Sequence, residues 1–340
     1  MFMFQVVLEK RLIFLWLSVV FILFSIFMLF FWRLNLGIDM TWGTQQEFRF
    51  ENFEFQTEEV REIAEMVQWH INVQEQNVIT TVEVFRVAWE DLFVVQAGFS
   101  REFSDEELEP WKIAFRDQLS DQFAEIWNIE LARYINIWAS FWNYIRNTAI
   151  ITLVIAVAAI AIYIAFAFSW AVSGITSLSF ALITLITLFH DVIISTWLYI
   201  LASSFFPQFQ IDTFFVTALL TILWYSINDT IVIFDRIRSN LREFGGRWKN
   251  LFDIIKMSLE ESLTRSMYTS FTLVFVLLSI ILFGPDTIKW FTLAMLFGTL
   301  VGTFSSLCIA APLLYELHKN TPLKPYIKKE DLSDDDKMVV

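Results

Sequence analysis

WYSINDTIVIFDRIR, residues 224–238, begins inside an apolar run and ends in a basic patch. Asn228 and Asp229 sit between apolar turns, with Arg236 the first cation beyond them. At a helical rise of about 1.5 Å per residue, Asp229 lies roughly 10 Å into a bilayer from the polar end. A bare carboxylate at depth costs on the order of 2.5–3.5 kcal/mol, so it is expected to face a bundle interior and to have a partner. Arg265, at the start of the next apolar run, is the candidate partner. Helical spacing puts Tyr225 and Ser226 on the face of Asp229, with Thr221 beyond them, giving a polar stripe. Burial and a nearby guanidinium act in opposite senses on a carboxylate's proton affinity, so movement of Arg265 would switch proton uptake and release at Asp229. A static ion pair fixing two helices is the competing reading.

The rest of the chain is apolar in the same manner. Hydrophobic residues make up 56% of its 340, and mean hydropathy is +0.54. Six runs approach or exceed the roughly 20 residues that span a bilayer: 12–32, 147–168, 175–206, 211–234, 267–283 and 288–314. The first is too long for a signal-peptide core and ends at Arg33 with no small-residue cleavage site, so it reads as a retained helix. Arg236, Arg238, Arg242, Arg247, Lys249 and Lys256 lie between the fourth and fifth runs, and Lys319, Lys324, Lys328 and Lys329 follow the sixth. The positive-inside rule then puts both termini and that loop of a multi-pass membrane protein in the cytoplasm.

The formal charge of −13 is concentrated in residues 35–144, which carry 21 acidic and 7 basic side chains. Such acidity argues against nucleic acid as a partner. Between spans one and two, this segment falls on the side of the membrane opposite the cytoplasm. Residues 46–55, 77–89 and 92–96 read as strands, 57–67 as a helix, and Ser104, Asp105 and Glu106 open a second helix. Strand, helix, strand, strand, helix, strand suggests a ferredoxin-like α+β module. The expected architecture is a six-helix α-helical membrane protein with that module between helices 1 and 2. Its parts are a cytoplasmic start and first span (1–34), the periplasmic domain (35–146), a five-helix bundle (147–316) with a cytoplasmic segment at 236–263, and a cytoplasmic tail (317–340), flexible near its end. Within 236–263, a turn at Gly245-Gly246 precedes an amphipathic helix at 248–263, expected to lie on the membrane surface against lipid.

Other polar groups fall within the spans. His190 and Asp191 are adjacent at mid-depth in the third span and could form a second proton or water contact, or cap a polar seam shared with Asp229. A polar pair satisfied within the bundle is the alternative. Gly298 and Gly302 form a GxxxG assigned to close helix packing. Cys308 is the only cysteine, and the other histidines, His70 and His318, lie far away in sequence, so no metal site is expected. Phosphate-binding glycine loops, nucleophile elbows and metalloprotease signatures are absent from the sequence. The chain is therefore expected to be no enzyme and to need no cofactor, with protons as the coupling ion.

YSINDTIVIFDRIR (225–238), SLTRSMYTS (262–270), FGTLVGTFSSLCIAAPLL (297–314), HDV (190–192) and LGIDMTWGT (36–44) occur in this order. Through these motifs nearly the whole chain resembles the SecF family of the SecD/SecF export machinery, in the resistance-nodulation-division superfamily. The resemblance implies a SecD-like partner, a SecY-type translocon, an unfolded preprotein on the periplasmic side, and work driven by the proton-motive force. It also ties Asp229 and Arg265 to proton passage. Rival readings are a small-molecule or lipid transporter of the same superfamily, a passive translocon scaffold, and an inactive redesign. Trp42 and Trp224 stand where the family usually has glycine, and Trp138, Trp142 and Trp197 fall on family glycines too. An indole there either fills a gap or wedges helices apart.

Overall fold

The computed structural model describes residues 2–31, 37, 43–50, 57–74, 77–86, 92–100, 102–127, 129–167, 174–206, 210–247 and 249–325. Trp42, most of the motif at 36–44, Trp248 and the end of the tail lie outside them. The chain divides into two compact units. One comprises Met1–Arg33, Leu153–Leu201 and Thr217–Val340; the other comprises Leu34–Thr152 and Ala202–Val216.

The second unit holds β1 (Gly43–Phe50), α3 (Thr57–Gln74), β2 (Ile79–Arg86), β3 (Leu92–Phe99), α4 (Asp105–Ile126) and β4 (Ile129–Ile137). The first unit contributes α1 (Phe2–Glu9) and α2 (Arg11–Phe31) ahead of them. The strands pair antiparallel in the order β2-β3-β1-β4, which with two helical crossovers is the ferredoxin-like arrangement expected from the sequence. Alternate residues of β3, Phe93, Val95, Ala97 and Phe99, join Val60 and Ile71 of α3 and Phe115 of α4 in one apolar core. Phe48 meets Phe123 edge-on, with centroids 4.8 Å apart. Ser104 starts α4 with a capping box: its hydroxyl accepts from the Glu107 amide, and the Glu107 carboxylate accepts from the Ser104 amide at 2.8 Å. Gln96, on the other side of β3, exchanges two 3.0 Å amide hydrogen bonds with Gln210. That contact helps to tie Ala202–Val216 to the sheet unit, although the sequence places this segment in the bundle.

Four further long helices follow: α5 (Ala139–Ala167), α6 (Ser177–Ser203), α7 (Thr213–Phe244) and α8 (Leu251–Phe283). The chain then runs through α9 (Asp286–Ser305), a π-helical turn (Ser306–Ala310) and α10 (Ala311–His318). Among the described residues, six stretches are long and apolar enough to cross a membrane: Arg11–Phe31, Asn147–Ile164, Ser177–Ser203, Thr213–Phe244, Leu251–Phe283 and Ile288–His318. These correspond to the six runs in the sequence.

One expectation is overturned. The amphipathic stretch at 248–263 is not a separate surface helix; from Leu251 it is the first part of the 33-residue α8. Its apolar face is covered by protein, because Leu251, Ile254, Ile255 and Leu259 join Phe4 and Leu8 of α1, Ile237 and Leu241 of α7, and Leu314 of α10 in one core. The turn before it depends on Gly246, whose φ of 69° is left-handed and whose α-carbon abuts the backbone at Leu323–Pro325.

Tyr134 of β4 has a buried hydroxyl with no hydrogen-bond partner among the described residues. Burial, seconded by Glu109, pushes its phenol from 10.0 up to about 12, against the opposing pull of Arg116. The folded state thus keeps a proton that the unfolded chain loses, so this contribution to stability is present below pH 10 and disappears as pH rises towards 12. Tyr134→Phe is expected to be no less stable at pH 7 and to lose less stability than the parent between pH 10 and 12, read from thermal melts of the detergent-solubilised protein.

Candidate functional site

The site forms where α6, α7, α8 and α9 come close, and small side chains are the reason they can. A β-carbon on Gly298 would overlap the Ile222 side chain, and one on Gly302 would lie 3.3 Å from Ser226 Cβ and 3.4 Å from its Cα. Glycines four apart therefore let α9 run against α7. On α8, Ser258, Ser262, Ser266 and Ser270 recur every fourth residue and are all buried. They give α8 one narrow hydroxyl-bearing face.

Asp229 of α7 is only 4% exposed. Ser266 Oγ donates to its Oδ1 at 2.5 Å, and Ser306 Oγ donates to its Oδ2. Asp191 of α6 is completely buried. Its Oδ2 accepts from Ser226 Oγ at 2.5 Å and from Ser305 Oγ at 2.7 Å, while His190 Nδ1 lies 2.7 Å from its Oδ1. Nearby, the Tyr225 hydroxyl pairs with Ser270 Oγ at 2.7 Å and Thr303 Oγ1 at 3.1 Å. The seam is thus built from two carboxylates, one imidazole, one phenol and a set of hydroxyls. Among the described residues, no three His, Cys, Asp or Glu side chains gather as a metal site.

Ser305 and Ser306 are consecutive, yet each serves a different carboxylate. Neighbouring side chains on a helix diverge by about 100°, which suits two acceptors on two helices. The wide turn that begins at Ser306 lies just before Pro312, which has no N–H to return to the preceding turn.

The structure does not bring Arg265 to Asp229. Arg265 is exposed, one residue before Ser266, and with Ser266 turned to the carboxylate its neighbour must point elsewhere. Asn228 is also exposed and stands outside the seam, although it adjoins Asp229 in sequence. His190 and Asp191, by contrast, do meet. Trp224 is 67% exposed and Trp138 51%, so neither wedges helices apart, while Trp197 packs edge-on against Phe24 with centroids 5.3 Å apart. The side chain of Trp142 lies outside the described residues. Sequence reasoning missed the direct partners Ser266 and Ser306; the period-four serines of α8 were the available signal for the first.

The family model described as protein export membrane protein SecD/SecF, C-terminal, matches residues 118–320, more than half of the chain. The protein translocase subunit SecF of Sebaldella termitidis is 34% identical over 314 residues, covering 92% of each chain. The chain belongs to the SecF family. A second SecF, from Thermobaculum terrenum, is 36% identical over 222 residues, which cover 65% of this chain and 67% of that one. The crystal structure of SecDF from Thermus thermophilus, a translocon-associated membrane protein, superposes with a TM-score of 0.73 at 23% identity. The match covers 92% of this chain but only 38% of the longer SecDF chain, and it shows the shared fold. As a SecF-family protein, the chain is a multi-pass membrane protein with a SecF-like role in protein export.

The close approach of α7 and α9 can be tested directly. Gly298→Leu is expected to push Ile222 aside at a cost of about 1–3 kcal/mol. Lower membrane abundance and a lower melting temperature than the parent would report it; an unchanged melting temperature would show that the contact at Ile222 is loose.

Proposed function

We propose that this SecF-family chain pairs with a SecD-like subunit beside a SecY-type translocon and uses the proton-motive force to assist an unfolded preprotein on the periplasmic side. Both termini are then cytoplasmic in the bacterial inner membrane, as the lysine and arginine distribution suggests. The observation that carries the reading is the hydroxyl-only setting of buried Asp229. A serine hydroxyl donates to a carboxylate and accepts from a carboxylic acid, so both protonation states fit without rebuilding the site. Arg265 supplies the control: rotation of α8 about its axis would exchange Ser266 for Arg265 beside Asp229. Asn228 and Arg265, both exposed on spanning helices, favour contact with a protein partner over lipid. The coupling ion is the proton, with no further cofactor, and the chain does no bond-making chemistry.

The test is export in cells depleted of their own SecF and complemented with this chain or with Asp229→Asn. The parent is expected to restore export and the variant to fall at least about tenfold, a loss of roughly 1.4 kcal/mol or more, at equal abundance and equal co-purification with the SecD-like subunit. Equal rescue by both would make the carboxylate structural and the chain a passive scaffold.

A further inference from the structure

Asp191 has the same equipment as Asp229. Both carboxylates are buried, and both accept from serine hydroxyls. The serines that serve them from the end of α9 are adjacent in the chain, and each has a second acceptor within reach. Ser305 Oγ lies 2.7 Å from Asp191 Oδ2 and 3.1 Å from the Gly302 carbonyl. Ser306 Oγ reaches Asp229 Oδ2 and lies 3.0 Å from the Thr303 carbonyl. A hydroxyl owns one proton and can donate it to only one of these acceptors at a time.

That count defines two states for each carboxylate. When it is ionised, the serine proton points at it. When it carries a proton, its O–H donates to the serine oxygen and the serine proton turns to the helix carbonyl. One O–H bond forms on the carboxyl group as one O–H bond of the hydronium ion that delivers the proton breaks, leaving water; no other covalent bond changes. Asp191 has in addition His190 at 2.7 Å, a second group on which the same proton can reside. His190 also lines an apolar pocket of about 260 Å³ with Leu17, Ser18, Ile194, Val301 and Phe304. Among the described residues, His190 is the only ionisable side chain lining that pocket. Among the described residues, the charged or titratable groups around Asp191 are His190 on its own helix and Asp229 on α7, with Tyr225 beyond; Arg265 of α8 is turned outward.

We infer that the His190–Asp191 pair is a second proton-binding site of the export cycle, tied to Asp229 through the adjacent hydroxyls of Ser305 and Ser306. This rests on the proton-coupled reading of Asp229 given above. Two like charges in one low-dielectric interior repel, so the proton count of one bears on the other. A shared serine pair at the π turn links both counts to the same piece of backbone.

Infrared difference spectra of the full chain in proteoliposomes, recorded across pH steps, test this without needing a partner. Two carboxylic-acid carbonyl bands are expected. Asp229→Asn should remove one and Asp191→Asn the other, and Ser305→Ala should keep both while shifting the Asp191 band. If Asp191→Asn does not fold, the band count of the parent and the Ser305→Ala shift still decide. A single band, lost in Asp229→Asn and unmoved by Ser305→Ala, would make Asp191 a permanent structural acceptor and overturn the inference while leaving Asp229 in its role. Absence of any Asp229-dependent band would overturn the proton-coupled reading itself.

Discussion

Two carboxylates sit inside an apolar helix bundle, and among the described residues small hydroxyl side chains and one imidazole satisfy them. An unpartnered charge there is severely penalised, so each oxygen needs a donor at hydrogen-bond range. A long cation could supply one from a distance, whereas a serine must be brought close. The bundle is therefore constrained to pack tightly where Asp191 and Asp229 lie, and Gly298, Gly302 and the serine face of α8 are the residues that make this possible. Chemistry and packing here are one requirement.

With only 9 glycines in 340 residues, the chain relies heavily on serine for close approach. Ser226 shows the economy of this: its backbone and Cβ lie against Gly302, while its hydroxyl serves Asp191. The aromatic residues are disposed differently. Trp224 points outward from the helix face opposite the seam, so its indole leaves the close contacts of α7 untouched. On α7, Trp224 and the tight polar interior coexist because they occupy different faces of the same helix.

The α+β unit is stabilised in another way. Its helices cover one side of a four-stranded antiparallel sheet through Phe48, Phe115 and Phe123, and its acidic side chains lie mostly on the outside. Among the described residues it has no counterpart to the carboxylate seam of the bundle, and the two units are built on different balances of apolar burial and polar satisfaction.

Periodicity and length determined the six spans, and alternation with capping signals determined the βαββαβ order, because these are local patterns that each element carries within itself. Ser104 and Glu107, three residues apart, show it well: a capping box is complete within one turn. Asp229 was legible as well, since a carboxylate in an apolar run is conspicuous. Its partners were not. Arg265 has the right charge at the right depth, but direction around a helix decides contact, and Ser266 one residue later holds the facing position. Asn228, beside Asp229 in sequence, faces outward by the same angular rule. The burial of α8 from Leu251 onward was also hidden, because a single amphipathic stretch reads alike whether lipid or protein covers it; α1, α7 and α10 cover it here. Which side chains occupy the seam is set by how four helices rotate against one another, and that rotation belongs to the tertiary structure alone.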